Sequence, residues 1–228
     1  GVILIPCIVL IGWQFNLLFL TSFSDSLGAM NPATAVLFIL SGISLHFIQE
    51  DRKIKTIKLG RYVGLFVALV AVIRLHGFNE NWNIGIDQLI YRDKLLGNEM
   101  AMNTAICFLL TGAALFFTDD RKNGSLVPTQ LFASLVFIIS LLTVIGFLYA
   151  TGAPSRASLF MPMAINTAVD FMFLSLGILF CRHRKGFIGF MMQKNSGGGI
   201  VRKFLPFGIG VPVIMGLLRL EGQRLQLY

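Results

Sequence analysis

Long apolar runs alternate with short polar segments along this chain, and each run has about the length that a membrane helix needs. A stretch of about twenty apolar residues crosses the ~30 Å hydrocarbon core of a bilayer. The predicted spans cover about residues 1–20, 31–48, 61–77, 100–118, 129–150, 162–181 and 204–220. The pattern therefore predicts an all-α protein, a polytopic membrane helix bundle with seven transmembrane helices in a single domain, 1–228.

One phrase, Met-x3-Thr-Ala-x2-Phe, begins three of these runs, at Met30, Met100 and Met163. The copies lie 70 and 63 residues apart, which is the length of a helix hairpin with its loops. A fixed period of this size indicates tandem repetition of one structural unit. The predicted hairpin repeats cover about 1–50, 60–120 and 128–182, and the seventh span begins a truncated fourth unit.

Met, Thr and Phe of the phrase are spaced four residues apart, so they form one ridge along a helix. Because each unit contains two spans, the three ridges have the same orientation, and we expect the even-numbered helices to face a common centre. The ridges are either a packing signature or the lining of a shared ligand pocket. Their polar members are candidates for sensing a ligand or signal: Thr34, Thr104 and Thr167, with Asn103 and Asn166 directly before the last two.

Asp170 is an ionisable residue two turns into the sixth predicted span, where the other copies have Leu37 and Cys107. A charge at membrane depth is unfavourable and is by default a candidate functional site. Arg74, near the end of the third span, is the expected ion-pair partner. We therefore include Asp170 and Arg74 among the sensing candidates, beside the alternative that they form a structural ion pair.

The net charge of +8 is distributed as the membrane orientation rule requires, and it does not indicate nucleic-acid binding. Thirteen of the 19 Lys and Arg residues fall in or beside the loops that follow spans two, four and six. This side is expected to be cytoplasmic, which places the N-terminal side in the cytoplasm. With 55% hydrophobic and 13% charged residues, the composition is typical of a multi-pass membrane protein rather than a soluble domain.

No catalytic triad, H-E-x-x-H motif or paired-carboxylate spacing occurs, so the sequence predicts no enzyme. The thioethers of Met30, Met100 and Met163 are weak candidates for Cu(I), since Met is also a common core residue. No cofactor is identified. No interrupted helix pair is evident, which weighs against a transporter.

The segments MNPATAVLFILSGISL, MAMNTAICFLLTGAAL and MPMAINTAVDFMFLSLGIL resemble the N-terminal multi-span sensor regions of bacterial sensor histidine kinases and diguanylate cyclases. The resemblance implies an input module in the bacterial inner membrane, connected to a cytoplasmic signalling domain that this chain does not contain. It also implies a homodimer, and Gly60 with Gly64 offers a close-packing face either between protomers or within the bundle. A structural accessory subunit of a larger membrane complex and a small transporter or channel remain alternatives.

Overall fold

The computed structural model describes residues 2–22, 28–49, 53–78, 90–95, 98–118, 127–150 and 163–181, and the single positions 85, 88, 214, 215 and 222. The α-helices in these ranges are α1 Leu4–Phe15, α2 Leu18–Thr21, α3 Pro32–Ile48, α4 Ile54–His76, α5 Met102–Phe117, α6 Val127–Ala150 and α7 Ile165–Phe180. Within the same ranges there is no β-strand, so the prediction of an all-α protein is confirmed.

Two helices are long and apolar enough to cross a membrane: α4, with a mean hydropathy of 1.8, and Pro128–Phe147 of α6, with 2.3. Four shorter apolar helices, α1, α3, α5 and α7, have 12 to 17 residues. The predicted seventh span, 204–220, lies outside the described residues except for Ile214 and Met215. The prediction of seven helices of spanning length is therefore not supported, and two such helices are found in the described part of the chain.

The first predicted span, about 1–20, is not one helix. Helix α1 ends at Phe15, and Asn16 adopts a left-handed conformation with φ 57° and ψ 34°. The chain then forms the short helix α2. The prediction of a continuous first span is wrong because Asn is one of the few residues that tolerate this conformation, which turns the chain out of the helical path.

Helices α3, α5 and α7 form the centre of the bundle, and each contacts the other two. Phe38, Phe108 and Phe171, the last residues of the three repeated phrases, are fully buried. Their ring centroids are 4.8, 4.5 and 4.7 Å apart, with interplanar angles of 60°, 60° and 61°. The expectation of a common centre is confirmed, and the centre has an approximate threefold arrangement.

Helices α1, α4 and α6 surround these inner helices. Helix α4 packs against α3 and α5, and α6 packs against α5 and α7. A Cβ atom on Gly60 would lie 2.9 Å from the Ser44 carbonyl oxygen of α3, and one on Gly64 would lie 2.7 Å from the Leu115 Cβ of α5. The Gly60 and Gly64 face is therefore used for packing within the bundle.

Among the described residues, helix α1 packs against α3 on the side of the bundle away from α5 and α6. A Cβ on Gly42 of α3 would lie 2.7 Å from the Ile3 Cγ1 atom, just before α1. Each of α3 and α5 thus uses the Gly that follows its repeated phrase, Gly42 or Gly112, to approach the outer helix that precedes it in the chain. In α7 this position is Ser175, whose hydroxyl donates to the Met172 carbonyl of its own helix.

Candidate functional site

The N-terminal ends of α3, α5 and α7 lie at one end of the bundle, which we call the Met end after Met30, Met100 and Met163. These three residues are 1–2% exposed and belong to the hydrophobic core. The ridge residues that follow them, Thr34, Thr104 and Thr167, are 2–3% exposed. Both sets are therefore enclosed by packing and do not line an open mouth. Among the described residues, no group of three or more His, Cys, Asp or Glu side chains forms a metal-binding cluster.

Of the three residues at this position of the repeats, only Asp170 is ionised at neutral pH in its usual state. It lies in α7 and is fully buried. Its equivalents Leu37 and Cys107 are also buried, so all three copies point this position into protein. Neither carboxyl oxygen of Asp170 has a hydrogen-bond partner among the described residues. Moving a polar group from water into a protein interior without a hydrogen-bond partner costs roughly several kcal/mol of free energy. Asp170 thus weakens the packing of this bundle unless something absent from the described chain interacts with it.

The predicted pair between Arg74 and Asp170 is wrong. The Arg74 side chain is 3% exposed, and its Nη2 atom lies 2.8 Å from Glu99 Oε2. The guanidinium also donates to the Met100 carbonyl oxygen, at 3.1 Å from Nη2, and stacks 4.4 Å from the Phe78 ring centroid. Arg74 therefore joins the end of α4 to the start of α5. The sequence argument failed because Glu99 lies in a loop, where spacing says nothing about its distance from Arg74.

Helical spacing places Asp170 on the face of α7 that borders α3. Gly177, seven residues further along α7, lies on nearly the same helix face, and a Cβ there would be 2.8 Å from Leu45 Cδ2 of α3. Asn166, four residues before Asp170, shares that face and donates from Nδ2 to the Thr21 carbonyl oxygen of α2 at 3.0 Å. The face of α7 that carries Asp170 is therefore bordered by α3 and by the α1–α2 segment.

This groove is covered differently from the other two. Helices α4 and α6 have 23 and 24 residues, whereas α1 has only 12 and is followed by the four-residue α2. The break is stabilised from elsewhere in the chain, because Lys94 Nζ donates to the Trp13 and Gln14 carbonyl oxygens at 3.1 and 3.0 Å. These are the carbonyls that a helix leaves without intrahelical partners at its C-terminus, where a cation is favourable. The interruption is a supported feature of the fold.

A cavity of about 220 Å³ lies beside the interruption. Its lining residues come from α1, from α2 and the residue after it, and from α7: Ile5, Ile8, Val9, Phe19, Leu20, Ser22 and Asn166. Apolar side chains dominate this wall. Asn166 is the residue that connects the cavity to the face of α7 on which Asp170 lies one helical turn further on.

The two candidate Asn residues have different environments. Asn166 is 3% exposed, and its Oδ1 accepts a hydrogen bond from the Thr167 backbone N–H at 3.1 Å. Asn103 is half-buried, and Ala101, the N-cap residue before α5, makes no side-chain cap hydrogen bond. Asn166 therefore bonds to neighbouring backbone groups, whereas no side-chain hydrogen bond is found for Asn103 among the described residues.

Sequence reasoning identified Asp170 and Asn166 but missed the interrupted α1–α2 segment and the cavity. The residues around the break are Phe-Asn-Leu-Leu, with neither Gly nor Pro to indicate it. The arrangement that results has apolar walls, a bonded amide at the edge and a buried carboxyl without a partner. Chemically it can accept an apolar molecule and interact with a hydrogen-bond donor or a cation. No protein-family model, curated protein or solved structure matches this chain.

Proposed function

We propose that the chain is the transmembrane sensory input module of a bacterial signalling protein. In this proposal it is a multi-pass bundle of helix-hairpin repeats in the inner membrane, with its N-terminal side in the cytoplasm. It detects a membrane or periplasmic signal near Asp170 and transmits a helix displacement to a cytoplasmic effector. It is not an enzyme in this role. The resemblance of its three repeated segments to bacterial sensor regions supports the same assignment.

The outward faces of α4 and α6 support a membrane environment. Large apolar side chains along both helices are 40–64% exposed: Leu59, Tyr62, Phe66, Leu69, Val72, Leu131, Leu135, Ile138 and Leu142. Soluble monomers rarely expose contiguous apolar surfaces on this scale, whereas lipid requires them. The inner helices α3, α5 and α7 instead bury Thr and Ser beside small residues, as helices that associate in lipid do. At 16 or 17 residues they are shorter than a bilayer core, and the outer helices shield much of their length.

The observation that carries the proposal is the Asp170 carboxyl, which has no hydrogen-bond partner among the described residues and lies in a core built from three copies of the repeated phrase. Leu37 and Cys107 occupy the same position in the other copies and pack without this penalty. An acid at this position disfavours the present packing, and any ligand, proton or cation that interacts with it would favour one arrangement over another. A group with different free energies in two arrangements is what a switch requires.

Helix α7 provides the route for the signal. Asp170 is next to Phe171, whose ring contacts both other inner helices. A displacement of α7 therefore has to change packing at the common centre, and the helix extends from there to Phe180 at the opposite end of the bundle. Displacements of about 1–2 Å between packed helices are typical of such transitions.

A distance measurement between the far ends of α3 and α7 tests this relay. Spin labels are placed at His46→Cys and Phe180→Cys, both exposed, after replacement of the native cysteines by Ala. In nanodiscs, Asp170→Asn and Asp170→Leu should shift the mean label distance by about 2 Å or change the balance of two populations. Leu37→Met, the matched change in the first repeat, should leave it unaltered. An unchanged distribution in both Asp170 variants would refute the relay.

The interrupted α1–α2 segment makes a transporter or channel the second candidate. Discontinuous helices often form the substrate sites of transporters. Transport requires that the site open alternately to both sides, whereas sensing requires only one. Cysteine placed at Asn166 and probed with a membrane-impermeant thiol reagent from each side distinguishes them: labelling from both sides supports transport, and labelling from one side supports sensing.

A further inference from the structure

We infer that the cavity between the α1–α2 segment and α7 is a binding site for a small apolar amine, whose ammonium group pairs with Asp170. This inference rests on the proposed function, since it names the class of signal that acts at the same groove. Three independent features support it: the cavity, the interrupted helix beside it, and the Asp170 carboxyl, which has no hydrogen-bond partner among the described residues and lies one helical turn beyond the cavity-lining Asn166.

The size and walls of the cavity define the apolar part of the ligand. Its volume of about 220 Å³ exceeds the roughly 150 Å³ of an engineered cavity that binds benzene. The walls are aliphatic and aromatic side chains, including Ile8 and Phe19, which are 47% and 80% exposed beside the cavity. A molecule with one aromatic ring can therefore enter from the surrounding lipid without crossing a polar surface.

The carboxyl of Asp170 defines the polar part of the ligand. Asn166 lines the cavity, and Asp170 lies four residues further along the same face of α7, a rise of about 6 Å. The helices that pack against α7 are α3, α5 and α6, and their described residues include His46 and Cys107 but no Lys or Arg. An ammonium group supplies the hydrogen-bond donors that neither carboxyl oxygen of Asp170 finds among the described residues.

The interrupted helix provides the means of access. Asp170 is fully buried, so the amine has to pass the contact between α2 and α7 that the Asn166–Thr21 hydrogen bond makes. Helix α2 has only four residues, and such a short element can move without breaking a long run of helical hydrogen bonds.

Equilibrium dialysis with protein in nanodiscs tests the assignment, using 2-phenylethylamine and the neutral isostere 2-phenylethanol as probes. Binding to empty nanodiscs is subtracted. A charge-assisted pair with a buried carboxylate should make the wild-type protein bind the amine about ten-fold or more tightly than the alcohol. Asp170→Asn should remove this preference while leaving binding of the alcohol nearly unchanged.

A cavity-filling variant provides the second measurement. Ile8→Trp places a large ring against the cavity wall and should weaken binding of both probes about ten-fold or more. Ile11→Trp is the matched control, because Ile11 is on the same helix, is 49% exposed and does not line the cavity. Equal binding of amine and alcohol by the wild type, or an amine preference that survives Asp170→Asn, overturns the inference. A loss of binding in Ile11→Trp as large as that in Ile8→Trp would also overturn the inference.

The results remain separable from those of the relay experiment. If the amine binds selectively but the label distances do not respond to substitution of Asp170, the ligand site stands and the signalling proposal fails. If the distances respond but neither probe binds, the relay stands and the assignment of an amine is wrong.

Discussion

Replacement of Phe171 by Ala tests whether the three-ring cluster holds the inner helices together. The Phe171 ring is fully buried, and its centroid lies 4.5 Å from that of Phe38 and 4.7 Å from that of Phe108. Truncation therefore removes two of the three ring pairs. An aromatic pair contributes about 0.5–1.5 kcal/mol beyond the burial of its area, so two pairs amount to about 1–3 kcal/mol.

Whether these ring contacts account for the whole loss of unfolding free energy depends on whether the unfolded chain is in water or in hydrocarbon. In a soluble core, Phe→Ala lowers the free energy of unfolding by about 3–5 kcal/mol, because the ring of the unfolded wild-type chain is exposed to water. In a bilayer the separated helices remain in hydrocarbon, which is as apolar as the ring. We therefore expect about 1–3 kcal/mol for Phe171→Ala in a membrane-mimetic environment, mainly from lost ring contacts and imperfect repacking.

Unfolding by titration with SDS in mixed micelles, followed by energy transfer between labels on α3 and α7, measures this free energy. Phe173→Ala is the matched control, because Phe173 lies on the same helix but is 50% exposed. We expect it to change the free energy of unfolding by less than about 0.5 kcal/mol. A loss in Phe171→Ala no greater than in Phe173→Ala would contradict the role of the cluster.

The double variant Phe38→Ala/Phe171→Ala adds a sharper criterion. Each single substitution already removes the pair between these two rings, so the sum of the single effects counts that pair twice. The double variant should therefore lose about 0.5–1.5 kcal/mol less than the sum. Strict additivity would mean that the rings do not interact, and the common centre would then be a geometric coincidence of packing.

Three further predictions use the same unfolding measurement. Gly112→Ala should lower the free energy of unfolding by about 1–3 kcal/mol, because the new Cβ would lie 2.6 Å from the α4 backbone, whereas Gly28→Ala, with no atom within 4 Å, should have little effect. Asn31→Ala should lower it by about 0.5–2 kcal/mol by removing the cap bond to the Ala33 N–H, and Asn103→Ala, which removes no such bond, should be nearly neutral. Glu99→Gln should lower it by about 1 kcal/mol or less, because Glu99 is about half exposed; a larger loss would show that the pair is more desolvated than the structure indicates.

The sequence predicted the centre of this fold better than its edges. Residues spaced four apart share a helix face, so the repeated Met, Thr and Phe positions were sufficient to predict that the three ridges face a common centre. Whether the ridges pack against one another or line a pocket was left open by the spacing, and the burial of their side chains decides for packing. The start of α3 was equally predictable, because Asn31 before Pro32 is a helix-capping sequence and its side chain accepts from the Ala33 N–H at 2.8 Å.

The interactions that sequence reasoning missed depend on residues far apart in the chain. The break after α1 has no Gly or Pro, and Lys94, about 80 residues away, caps the carbonyls it leaves. Arg74 pairs with Glu99 rather than with Asp170 for a related reason, since the loop before α5 brings Glu99 to the end of α4. Helical periodicity says nothing about where a loop places its side chains, so these features required three-dimensional structure.

Two departures from the repeat pattern, Asp170 and the interruption after α1, occur on the same side of the bundle, and this coincidence is the strongest argument for the proposed site. The third repeat has Asp170 where the others have Leu37 and Cys107, and α1 is interrupted whereas α4 and α6, the other outer helices of the described residues, are continuous. Either change alone weakens packing: one buries an acid without a partner, and the other leaves a cavity. Together they place an unpaired carboxyl one helical turn from a cavity that opens beside a short, displaceable helix. A bundle that served only as a membrane scaffold would gain stability from a Leu at position 170 and a continuous first helix. In the proposed function, α3 and α5 would supply the reference against which α7 moves, and the groove beside α7 would supply the group whose free energy a ligand changes.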